Sequence, residues 1–96
     1  VRLVHGLGSL RHGLLQKVVP HARLYAEAES MARRILRGGP QAVRLAKRAV
    51  VEGLEMPLED ALALEGRLAE RALLTADAHE GLHAKVNGRE PAFAGA

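Results

Sequence analysis

The run His79-Glu80-Gly81-Leu82-His83 is the stretch whose residue types and spacing most directly suggest chemistry. It fits H-E-x-x-H. On a helix, two histidines four apart share a face and can grip a zinc ion while the carboxylate between them activates a water. The surroundings do not complete such a centre. A catalytic zinc takes three protein ligands. The extended motif would need a glycine at 86 and a histidine at 89, where this chain has Val86 and Arg89. A glutamate from a later helix is excluded, because only thirteen residues follow His83. Glu80 is also spaced to form a helix capping box with Asp77. The sequence therefore assigns no metal site and no catalytic residue. His79 and His83 are expected to be solvated, and a zinc-dependent hydrolase through His79, Glu80 and His83 stands only as an alternative.

The remaining candidates are weaker. Gly6, Gly8 and Gly13 do not form G-x-G-x-x-G, because the third glycine position falls on Arg11 and no strand precedes it. Arg33, Arg34, Arg37, Arg44, Lys47 and Arg48 make a basic region, but no aromatic side chain is interleaved to stack bases. The net charge of +3 is spread through segments that also carry Asp and Glu, so no nucleic-acid partner is expected. Glu65 sits among apolar positions, where a carboxylate ordinarily finds an arginine on a neighbouring helix or chain. Ser9 and Ser30 lack His and Asp companions for nucleophilic work. There is no cysteine and no run of about 20 apolar residues. No leader pattern precedes a small-residue cleavage site. No membrane partner and a reducing compartment are expected. The first residue is Val1 rather than Met, which suits a fragment or a processed product.

These residues depend on helices for their placement. The 96 residues are 48% hydrophobic but only 2% aromatic, so any core is built from Leu, Ala and Val. Residues 1–20 read as an irregular arm: Gly6, Gly8 and Gly13 interrupt helical periodicity, and 16–19 could extend until Pro20. Residues 21–96 read as helical. Leu24, Ala28, Met31, Ile35 and Leu36 mark a helix over 23–37. Gly38-Gly39-Pro40 separates it from a helix over 40–52 with Val43, Ala46, Ala49 and Val50 on one face and Gly53 as a left-handed cap. Leu58, Ala61, Leu62, Glu65, Leu68, Ala69, Ala72 and Leu73 mark a helix over 57–74. A last helix, opened by Asp77 and Glu80, stops at Gly88 and Pro91. No period-2 run argues for a sheet. The expectation is an all-α, small irregular bundle of about four helices, with an apolar patch that another chain or domain covers.

Four segments in order resemble the enoyl-CoA hydratase/isomerase (crotonase) family. Gly13-Leu14-Leu15-Gln16-Lys17-Val18-Val19-Pro20 is similar to its GLVNRVVP segment. Residues 39–50, GPQAVRLAKRAV, resemble its GP-x-A-x-R-x-A-K helix. Gly53-Leu54-Glu55 with Leu58, Ala61, Leu62, Leu64 and Glu65 resembles GLE…L-x-x-A-L-x-L-E. Thr75, Asp77, Glu80-Gly81-Leu82, Ala84, Arg89, Pro91, Phe93 and Gly95 follow the closing T-x-D-x-x-EGM-x-A-F-x-EKR-x-P-x-F-x-G. The resemblance runs from about residue 12 to 96.

The resemblance implies the C-terminal helical region of a crotonase subunit, without the ββα spiral core that supplies the oxyanion-holding N–H groups and the acid/base carboxylates. Its implied role is trimer assembly and closure of a coenzyme A pocket, not catalysis by itself. The parent activity is that of a lyase or isomerase on acyl-CoA thioesters, with no covalently bound cofactor. Partners would be other subunits of the same protein, in a trimer or hexamer. The compartment would be the cytoplasm, or the mitochondrial matrix in a eukaryote. Lys85 and Arg89 are the candidate coenzyme A contacts. Arg89 keeps the family residue, whereas Lys85 replaces the motif Phe, Asn87 its Glu and Gly88 its Lys, so acyl-CoA binding is expected to be weak or absent. A free-standing helical homo-oligomerisation module is the other alternative.

Overall fold

The computed structural model of the chain describes residues 6–96. Among these the order is α1 (Gly6–Arg11), a 3-10 turn (His21–Arg23), α2 (Leu24–Ile35), α3 (Pro40–Gly53), α4 (Leu58–Leu73) and α5 (Ala76–Val86), with no strand. The all-α expectation holds. The part of the N-terminal arm at 1–5 lies outside the described residues. The chain divides into two compact units, Val1–Arg33 and Arg34–Ala96, with the division inside α2.

In the first unit α1 is a helix where the glycines argue for none. The reason lies at its end. Gly13, at φ 77°, sits in the left-handed region. The Gly13 N–H donates to Leu10 O at 3.1 Å and the Leu14 N–H to Ser9 O at 2.9 Å, the paired bonds of a Schellman cap. Gly13 thus terminates a helix rather than dissolving one. Residues 17–20 carry no ladder, and Pro20 precedes the 3-10 turn. Glu27 on α2 accepts from Arg23 at 2.9 Å and from Lys17.

In the second unit, Pro40 opens α3 at its first turn, where its missing N–H costs nothing. Pro57 is the N-cap residue of α4. Gly53 is not a left-handed cap. It is the last residue of α3 and is not among the positive-φ glycines. A Cβ built on it would lie 3.5 Å from Ala61 Cβ, so it marks the close approach of α3 to α4. The capping box of Asp77 with Glu80 does not form either. Thr75 is the cap, its Oγ1 accepting from the Ala78 N–H at 3.1 Å. A threonine two residues upstream reaches the orphan donor first and frees both carboxylates for other partners. α5 ends as α1 does: Gly88, at φ 64°, donates to Lys85 O, and Arg89 N–H donates to Ala84 O.

Among the described residues the buried apolar side chains are Leu64, Leu68 and Ala84. α3 and α4 form an antiparallel hairpin joined by residues 54–57, and α5 leans on α4. Between α3 and α4 the apolar stripes do not close over one another.

Candidate functional site

Two features of the second unit could act on another molecule. The larger is a groove of about 610 Å³ between α3 and α4. Ala42, Ala46, Ala49 and Val50 form one wall, and Leu58, Ala61, Leu62, Leu68, Ala69 and Ala72 the other. Leu68 is buried in the α4 wall. Leu54, Leu58 and Leu62 are 82%, 74% and 57% exposed. Glu65 lies in the middle of the α4 wall. No arginine of a neighbouring helix pairs with it: Glu65 is exposed, and among the described residues it makes no ion pair.

The second feature is a clasp. Two carboxylates on α5 hold the chain segment 89–96. Asp77, 4% exposed, accepts from the Ala94 N–H at 2.7 Å and the Gly95 N–H at 2.8 Å. Its own N–H donates to Ala96 O at 2.9 Å. Gln41, near the start of α3, donates to Gly95 O at 3.2 Å. Glu80 accepts from both Arg89 amines, at 2.6 and 3.1 Å, and from the Ala92 N–H at 3.0 Å. The Arg89 hydrogen bond first, and the Ala92 N–H second, hold the Glu80 carboxyl down at about 2. The same pairing raises Arg89. The Phe93 ring lies beside Gly39 and Gly81, at ordinary contact distance from a Cβ built on either.

The clasp decides several expectations. A carboxylate kept ionised to about pH 2 and committed to Arg89 is a poor general base near neutrality, so Glu80 is not placed to drive hydrolysis. Among the described residues no third His, Cys, Asp or Glu joins His79 and His83. Arg89 is tied to Glu80, whereas Lys85 is exposed and lines a smaller hollow of about 370 Å³ beside Phe93. Arg33 pairs with Glu29 and Arg48 with Glu52, each one helical turn apart. No helix among the described residues is long and apolar enough to cross a membrane. The sequence reading missed Asp77 as a buried clasp. The available signal was Thr75, a better N-cap two residues earlier, which left Asp77 without that job.

The fold and these features define a class: an all-α segment whose main surface is an open apolar hairpin face. The profile of the enoyl-CoA hydratase/isomerase family matches residues 2–96. The chain is 35% identical over 85 residues to a crotonyl-CoA hydratase of Syntrophomonas wolfei, covering 88% of this chain and 33% of the relative. It is 35% identical over 91 residues to the human mitochondrial enoyl-CoA hydratase domain-containing protein 2, covering 95% and 31%. Among solved structures it is similar to an enoyl-CoA hydratase of Bacillus anthracis, with TM-score 0.88 and 36% identity over 94% of this chain and 35% of that one. The chain belongs to the enoyl-CoA hydratase/isomerase (crotonase) family. It spans about a third of the length of the curated relatives it matches.

Proposed function

We propose that this chain acts as the C-terminal helical part of an enoyl-CoA hydratase/isomerase-type subunit, as an assembly surface and a cover for a coenzyme A pocket. The observation that carries this reading is the open α3–α4 face. Covering Leu54, Leu58 and Leu62 would each gain about 1.5–3 kcal/mol, and a face of this kind fits a partner rather than water. Glu65 gives that partner a requirement, because a carboxylate buried under it needs a cation alongside. The partner is another subunit of the same protein, in a trimer or hexamer. Lys85 is the cation free to meet a coenzyme A phosphate, and Arg89 serves it only by leaving Glu80. Acyl-CoA binding by this chain is weak. The activity supported for the assembled protein is hydration or isomerisation of an acyl-CoA thioester, in the cytoplasm or the mitochondrial matrix.

Oxyanion stabilisation is usually the largest catalytic term, and in the family its donors belong to the spiral core. The purified chain incubated with crotonyl-CoA is therefore expected to give no hydration above the uncatalysed rate. Turnover that follows the chain through purification would overturn the non-catalytic role.

A further inference from the structure

We propose that α5 carries an exchangeable two-histidine site for an imidazole-preferring divalent metal ion, with His79 and His83 as its ligands. α5 is a continuous helix over Ala76–Val86, so the two residues stand one turn apart with Cβ atoms about 5–6 Å from each other. Both are exposed, and neither ring is needed by the core. At 3.6 residues per turn, Lys85 falls on the opposite side of the helix from the pair and does not repel a cation there. Glu80, between the two in sequence, is paired with Arg89 at 2.6 Å. His83 lies in the last turn, where the helix dipole favours positive charge.

The site is distinct from a catalytic zinc centre, which takes three protein ligands. Two imidazoles with water at the remaining positions bind and release a metal rather than enclose it. Imidazole ligands select Zn²⁺, Ni²⁺ and Cu²⁺ over Mg²⁺ and Ca²⁺. The Asn87 amide nitrogen stands 3.4 Å from His83 Nδ1 and donates to His83 O at 2.8 Å. An amide nitrogen only donates, so this contact has Nδ1 accept and leaves the ring proton on Nε2; ligation through Nε2 requires Asn87 to release Nδ1.

Titration of the chain with ZnCl₂ and NiCl₂ by calorimetry, with MgCl₂ as control, tests this. The expected result is saturable binding of one Zn²⁺ or Ni²⁺ per chain and none of Mg²⁺. His79→Ala and His83→Ala should each weaken it by more than about tenfold, since even an outer-shell partner of a ligand is worth about 10- to 100-fold. His12→Ala should leave it unchanged. Placing Leu82→His in the His83→Ala background restores a pair three apart and should recover binding. Circular dichroism of each variant checks that α5 is intact. Absence of saturable binding, binding that survives loss of either histidine, or failure of the restored pair to bind would overturn the proposal.

Discussion

Glu80 and Asp77 show how residue identity and residue use can part. Both were legible as helix N-terminal acids, and both are near an N-terminus. Thr75 does the capping, however, and the two carboxylates turn instead to the segment 89–96. Their partners lie up to eighteen residues away, beyond the reach of local spacing rules. The Glu80 carboxyl is held below its ordinary value of 4.5, at about 2. A depressed acid pKa adds stability that is fully present above the unfolded value and lost as pH falls through the folded one. Wild type is accordingly expected to melt above Glu80→Gln at pH 7, with the gap closing between about pH 4.5 and 2; melting curves at a series of pH values check this. Asp77→Ala leaves two backbone donors unpaired and should cost about 2–4 kcal/mol. Hydrogen exchange at Ala94 and Gly95 should accelerate in the same variant.

At the scale of elements, the hydrophobic period and the Gly/Pro punctuation located α2 to α5 within a residue or two of their ends, because Gly38-Gly39, Pro40, Pro57 and Gly88 bracket most of them. The two glycines that misled did so through context. Gly13 ends α1 and is left-handed, whereas Gly53 looks like a cap and is helical. Their alanine variants should separate. Gly13→Ala is expected to cost about 1–2 kcal/mol for forcing a side chain into the left-handed region. Gly53→Ala should be neutral or gain up to about 1 kcal/mol, its Cβ meeting Ala61 at an ordinary 3.5 Å. Gly66 lies inside α4 with nothing within 4 Å of a built Cβ, so Gly66→Ala should stabilise by about 1 kcal/mol. Chemical denaturation of the three variants reads all of these. The α4 stripe was legible almost whole, including Glu65. Leu64, which is buried, was not in it, although it stands three residues after Ala61 and four before Leu68, on the same helical period.

For the whole molecule, the family was legible from four short segments in register, and the match over residues 2–96 confirms it. What stays outside the sequence pattern is the covering of the α3–α4 face, since a groove lined by alanines looks the same whether a neighbour fills it or water does. The account stands on that face being an assembly surface. Sedimentation equilibrium of the chain beside its Leu58→Glu/Leu62→Glu variant tests it most directly. Both leucines are exposed in the single chain, so the variant should keep its helix content. The expected result is concentration-dependent association of the wild-type chain that the double variant abolishes. A wild-type chain that stays monomeric at every concentration, or a double variant that associates equally well, would contradict it.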